Sequence, residues 1–236
     1  MTPLIEIERL AVRRGAYPAV RDVSLAIAEG SWFGLIGANG SGKTSLLRAI
    51  AGRLPIHSGR CLIGGSDATA ERAARARAIG FAPPADTLPD ALSVRELLEI
   101  AGVGLDQLGP VRTALGLDSL LDRTIGSCSA GMRQRVAIAC AFADGRRIAI
   151  LDEPFNWLDP VAAYDLRQAL RALVDEGLTL VTALHDLGTL VSACDAGALL
   201  GEGLVTLALA PETMAAAAVD PAAFERRTID LLRGRR

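Results

Sequence analysis

At 236 residues and a formal net charge of −2, the chain is long enough for one domain with a sizeable core, and it has no global attraction for nucleic acid or anionic lipid. Half of its residues are hydrophobic but only 4% are aromatic, so alanine, leucine and valine carry the apolar share. Cys61, Cys128, Cys140 and Cys194 show no CxxC spacing and read as reduced thiols of a cytosolic protein.

Residues 1–10 lack a basic end followed by an apolar run, so no secretory signal is expected. Residues 4–12 alternate as a strand, 23–28 read as a second, and 32–36 form a short apolar run ending at glycine. Residues 44–51 have helical spacing, with Leu46, Leu47 and Ile50 on one side. A strand is expected at 59–63, then a solvated Ala/Arg helix at 68–78 and a short strand at 79–81 before the break at Pro83-Pro84. Ser93 can cap a helix over 94–101, with Glu96 completing a capping box.

Helices follow at 105–115 and 130–143. Residues 148–151 are a continuous apolar run, as a buried parallel strand requires. A helix is expected at 161–176, a strand at 178–184, a turn at 185–189, an edge strand at 204–209, and one or two helices over 211–236. The stretch 178–200 is the best candidate for a membrane span, but it holds His185, Asp186 and Asp195. A span needs about 20 apolar residues with few or no charges. Any membrane work therefore falls to another chain. Strands alternating with helices in both halves give an α/β sheet protein, and the mostly helical middle gives an inserted subdomain at about 84–143.

Gly37-Ala38-Asn39-Gly40-Ser41-Gly42-Lys43-Thr44 fits GxxxxGK[ST] between an apolar strand and a helix, the context a P-loop needs. Small residues let backbone N–H groups turn inward around phosphates, and the helix start adds partial positive charge. Lys43 would reach the β and γ phosphates, and the Thr44 hydroxyl would ligate Mg²⁺. Lys43 is also the only lysine in the chain; every other basic residue is arginine. A compositional drift toward arginine has spared the one position that needs a compact ammonium on a flexible stem. The run Ile148-Ala149-Ile150-Leu151-Asp152-Glu153 ends in two acids at the carboxyl edge of a strand, where ligands of parallel sheets bind. Asp152 would hold the Mg²⁺ shell, and Glu153 would polarise a water aimed at the γ-phosphate.

Further segments in order make the chain resemble an ATP-binding cassette (ABC) nucleotide-binding domain over about residues 4–209. Cys128-Ser129-Ala130-Gly131-Met132 is similar to the signature LSGGQ, Asn156-Trp157-Leu158-Asp159 resembles the D-loop, and His185 resembles the switch histidine. The resemblance implies a P-loop NTPase core with a mostly parallel sheet, an antiparallel β subdomain and an inserted α-helical signature subdomain. It implies an ABC domain over 2–210 and a C-terminal helical extension over 211–236. It further implies a homo- or heterodimer in which each ATP lies between one P-loop and the other subunit's signature. Ser129 and Gly131 would then meet the γ-phosphate across the interface, and His185 would meet it within its own subunit.

Three positions depart from the family pattern. Pro84 stands where the Q-loop glutamine belongs, with Asp86 near enough in sequence to substitute. Arg14 falls at the place of the adenine-stacking aromatic, and Tyr17 could serve if the turn is irregular. The signature carries Cys128, Ala130 and Met132 where Leu, Gly and Gln are commonest. His57 has no such context and takes no role.

The implied function is that of an ATP-hydrolysing transporter subunit, needing ATP and Mg²⁺, at the cytoplasmic face of the cell membrane and peripheral through an integral membrane subunit. A short helix of that subunit would dock near residues 83–98, with Leu88, Leu92 and Leu97 as an apolar patch. A soluble non-transport ABC ATPase and an ATP-sensing regulatory subunit are the rival readings. No nucleic-acid partner is expected.

Overall fold

The structure, a computed structural model, describes residues 3–233. Two sheets frame the core. The first is antiparallel, in the order β2-β1-β4-β5, built from β1 (Pro3–Arg14), β2 (Tyr17–Ala28), β4 (Ser58–Ile63) and β5 (Ser66–Asp67). The second, in the order β10-β9-β3-β8-β7-β6, contains β3 (Trp32–Ile36), β6 (Ile79–Phe81), β7 (Ile148–Asp152), β8 (Thr179–Leu184), β9 (Ala196–Gly201) and β10 (Leu204–Leu209). All its pairings are parallel except β10 on β9.

The central strands are mostly apolar because both of their faces are covered. Phe33, Leu35, Ile148, Ile150, Val181 and Ala183 face one way and pack with Leu46, Leu47 and Ile50 of α1 (Lys43–Ile50). That cluster also holds the inner face of the antiparallel sheet, so the first helix is sandwiched between the two sheets. The alternate residues, among them Trp32, Ile36, Ala149, Leu151 and Leu184, face a second cluster formed with the helices. Trp32 is wholly buried, and its Nε1–H donates to Thr182 Oγ1 at 2.8 Å, which satisfies the one polar group of the ring.

The mostly helical segment comprises α3 (Val94–Ile100), α4 (Pro110–Ala114), α5 (Ala130–Ala139) and short 3₁₀ turns, after α2 (Arg72–Ala78). Ser93 caps α3 in a complete capping box, Ser93 N donating to Glu96 Oε2 at 2.8 Å and Glu96 N to Ser93 Oγ at 3.2 Å. The remaining helices are α6 (Pro160–Asp175), α7 (Leu187–Ala193), α8 (Pro211–Val219) and α9 (Pro221–Arg233). Among the described residues, no helix is long and apolar enough to cross a membrane.

Several local expectations are corrected. β2 begins at Tyr17 rather than residue 23 because a tight hairpin pairs Arg14 with Tyr17. The expected helix 105–115 is broken at Gly109, whose φ of 50° is not helical, and only Pro110–Ala114 is α. The helix expected over 130–143 stops at Ala139 and continues as a kinked 3₁₀ segment, with Ala143 extended and Asp144 at φ 58°.

Residues 185–189 are not merely a turn. Asp186 caps α7 by accepting from Thr189 N at 2.9 Å, and β9 follows, so the apolar stretch 178–200 is cut into strand, helix and strand. The Ala/Arg helix is shorter than expected and not simply solvated. Arg75 is fully buried and donates to the carbonyls of Ala49, Ala68 and Thr69, the first of them in the last turn of α1. A cation there complements the negative end of the helix.

Candidate functional site

Strand register builds the site. Ile36 pairs with Leu184, and Asp152 pairs with Ala183, in parallel ladders. Gly37, Glu153 and His185 therefore leave neighbouring strands at one edge of the sheet, the carboxyl edge at which crevices form.

The P-loop follows β3. Gly42, at φ 104°, precedes α1, and a Cβ there would collide with the Ala19 carbonyl of β2, so only glycine fits. Lys43 is 5% exposed, with Nζ donating to Gly37 O at 2.6 Å and Ala38 O at 3.3 Å. Burial pulls its pKa down, and the nearby carboxylates of Glu153 and Asp152 oppose that shift. A cleft of about 270 Å³ runs along Ala38 to Ser45, with Arg14 and Tyr17 at one wall and Glu153 at another. The hairpin thus brings both aromatic-position candidates to the cleft, and Tyr17 is 59% exposed.

Asp152 has the same strand parity as Ile148 and Ile150, which pack on α1, so it projects toward Thr44. Burial raises its pKa, and the Thr44 hydroxyl beside it counters that rise. Asp152 Oδ1 and Ser41 Oγ are buried without a hydrogen-bond partner. Orphaned buried oxygens are costly unless something absent from the chain satisfies them. Hard oxygen donors few in number suit Mg²⁺, which keeps waters and substrate phosphates in its shell. Among the described residues, no group of three or more His, Cys, Asp or Glu forms a cage for a metal.

Glu153 sits just beyond β7 at φ 55°. Its N–H donates to Ala183 O at 3.2 Å, and its own carbonyl accepts from Asn156 N at 3.2 Å. Its carboxylate is held on both oxygens: Oε1 lies 2.7 Å from His185 Nε2, and Oε2 accepts from Asn156 Nδ2 at 2.7 Å. A carboxylate within reach of the cleft and oriented by two neighbours can accept a proton from water. Asn156 was legible in the sequence only as part of a D-loop resemblance. Its contact arises because the 153–156 turn closes on itself.

Ser129 and Gly131 are not part of this cleft. Ser129 is exposed and caps α5, its Oγ accepting from Met132 N at 3.3 Å. Gly131 lies against the D-loop, where an added Cβ would come within 2.7 Å of Trp157 O. Gln134, one turn along α5, donates to Glu153 O at 3.4 Å, a link that no local spacing indicates. Asp159, at the end of the D-loop, caps α6 through Val161 N and Ala162 N.

Pro84 does not line the cleft either. It accepts from Thr87 N and Thr87 Oγ1 and borders a separate groove of about 560 Å³ between the core and the helical segment. Arg48, Arg53, Phe81, Leu88, Leu97 and Arg146 also line this groove. Leu88 is only 6% exposed and belongs to the core, Leu97 is half-buried, and Leu92 lies outside the groove. Asp86 is exposed in the 3₁₀ turn after Pro84 and does not line the cleft. His57 is exposed and also lies outside the cleft.

Comparison with known proteins is consistent across sequence and structure. The family described as ABC transporter matches residues 20–156. The hemin import ATP-binding protein HmuV of Bordetella pertussis is 34% identical over 84% of the chain and 83% of its own length. The mouse ATP-binding cassette sub-family A member 7 is 34% identical over 79% of the chain, but the match spans only 9% of that much longer protein. Among solved structures, an ATP binding subunit of an ABC transporter superposes with a TM-score of 0.83 at 26% identity, covering 97% of this chain and 99% of its own.

Proposed function

This chain belongs to the ABC transporter family, and on that premise we propose that it is the ATP-binding and ATP-hydrolysing subunit of a transporter, powering substrate movement through a separate membrane subunit. The carrying observation is the pairing of a buried Lys43 with two orphaned oxygens, Ser41 Oγ and Asp152 Oδ1, beside a carboxylate oriented on both sides. These features support a site that is complete only when triphosphate and a divalent cation are present.

In this reading residues 37–44 cradle the phosphates, Lys43 contacts the β and γ phosphates, and Tyr17 or Arg14 flanks the adenine. Thr44 and Asp152 would hold Mg²⁺, which would supply charge neutralisation to the phosphates. Glu153 accepts one proton from the attacking water as its oxygen bonds to the γ-phosphorus, and the bond to the ADP oxygen breaks. His185 hydrogen-bonds the γ-phosphate in its own subunit. Ser129 and the start of α5 approach the same phosphate from the other subunit, which suits a helix N-terminus.

The exposure of Ser129 and its place outside the lining of the chain's own cleft support a homo- or heterodimer. The groove beside Pro84, apolar within and edged by arginines, supports docking of the membrane subunit at the cytoplasmic face of the membrane. Residues 2–210 would form the cassette, with its helical subdomain at about 84–143, and 211–236 an extension.

The test is phosphate release from ATP by the purified chain. Release is expected with Mg²⁺ present and is expected to stop on chelation. A chain that binds Mg-ATP but releases no phosphate, alone or with its membrane partner, overturns the hydrolytic reading.

A further inference from the structure

We propose that Asn156 is a positioning residue for hydrolysis, orienting the Glu153 carboxylate so that Oε1 is the oxygen that receives the proton of the attacking water. The proposal rests on the reading of Glu153 as the general base.

Glu153 has two carboxylate oxygens and two partners. Asn156 Nδ2–H donates to Oε2 and His185 Nε2 lies beside Oε1, each at 2.7 Å. These two partners are not equivalent. His185 follows β8 on a neighbouring strand and, in the proposed function, turns to the γ-phosphate when ATP is bound. Asn156 belongs to the same turn as Glu153, and its backbone N–H closes that turn on Glu153 O at 3.2 Å. Once His185 engages the phosphate, Oε1 is released toward the cleft while Oε2 stays tethered. The carboxylate then presents one defined oxygen to water instead of rotating freely.

The tether is itself held in place. Trp157, the next residue, adopts φ 65°, and its carbonyl lies directly under Gly131 of α5 with no room for a side chain between them. Gln134 of the same helix reaches Glu153 O at 3.4 Å. Asp159 then fixes the end of the turn by capping α6. An amide on so constrained a turn loses little freedom in holding the carboxylate, which is what preorganisation of a reacting group requires. Asparagine also suits the task chemically, because its amide donates and stays neutral beside Asp152 and Glu153, where an acid would add repulsion.

The experiment is steady-state Mg-ATP hydrolysis by Asn156→Asp and Asn156→Ala, each alone and combined with Glu153→Gln. Asn156→Asp keeps the shape and replaces the donor with an acceptor; Asn156→Ala removes the group and serves if the aspartate disturbs folding. We expect kcat to fall about tenfold in either variant, with KM for ATP, equilibrium ATP affinity and melting temperature close to the parent. In the Glu153→Gln background the substitution should change the residual rate less than twofold, because there is no carboxylate left to orient. A parent-like kcat overturns the proposal. So does a raised KM with kcat unchanged, or an equal loss of rate in the Glu153→Gln background. Parent-like turnover of Glu153→Gln alone defeats the general-base reading instead, whatever the Asn156 variants do.

Discussion

In the proposed function the P-loop and the signature segment are the two halves that face phosphate, and the chain encloses them to different degrees. Lys43 is 5% exposed, hydrogen-bonded to its own loop and placed at the start of α1, whose apolar residues pack between the two sheets. Ser129 is exposed, and the side chain it offers is occupied only in capping its own helix. Both halves use a helix N-terminus, and the first lies along a cleft that neither Ser129 nor Gly131 lines. The difference is one of enclosure: a buried ammonium is costly unless polar groups surround it, and the Gly37 and Ala38 carbonyls accept from it within the chain, whereas a capped helix start is stable in water and can wait for a second chain.

Lys43→Ala tests the finished half and should have the largest effect. Losing a buried cation that in the proposed function contacts two phosphates should weaken Mg-ATP binding by about a hundredfold or more. Titration calorimetry measures it. A lysine-directed reactive ATP analogue provides a companion check, since Lys43 and the amino terminus are the only amines. Near-normal affinity, or labelling confined to the terminus, removes the P-loop from the site.

Ser129→Asp tests the unfinished half. Aspartate caps a helix as well as serine does, so stability should hold. A negative charge facing the γ-phosphate should cost turnover about thirtyfold, roughly 2 kcal/mol of the ~4 kcal/mol that unit charges 4 Å apart feel at an effective dielectric of about 20. Binding of ATP to the isolated chain should be unchanged. Mixing this variant with Lys43→Ala should recover part of the parent's turnover, because the mixed dimer contains one undamaged pairing of P-loop and signature. Loss of ATP binding by Ser129→Asp in the separated chain contradicts the division into halves, and absence of recovery on mixing excludes a homodimer.

The smallest effect concerns Pro84, which belongs to neither half. It borders the groove between the core and the helical segment, and its ring offers no side-chain donor or acceptor. Pro84→Gln should raise basal phosphate release by about tenfold at most, a barrier change near 1.4 kcal/mol. No change means the site does without the amide. A fall means the 3₁₀ turn at Ala85–Thr87, which closes on the Pro84 carbonyl, is built around the proline.

What could be read from the sequence was contiguous. The P-loop is eight successive residues between an apolar strand and an amphipathic helix, and Asp152-Glu153 ends an apolar run, so spacing alone located both. The capping box at Ser93 followed from spacing within one element. The misreadings fell where long-range packing overrides local pattern. Arg75 lies in a segment whose composition says solvent, yet backbone carbonyls from two other segments draw it inside. The helix α7 and strand β9 were hidden because a buried strand, a short helix and another buried strand share one apolar texture.

The sequence by itself determined which chemistry the chain carries: a phosphate cradle, one ammonium, paired acids and a capped signature helix. Those features depend on neighbours along the backbone, whose geometry is fixed by residue type. Only the tertiary structure decided which groups meet. The register of β7 on β8 sets Glu153 beside His185, 32 positions away in the chain, and the wedge of Trp157 under Gly131 ties the turn after Glu153 to α5. Strand register is chosen by the burial of whole faces, a sum over many side chains, and no short motif encodes it.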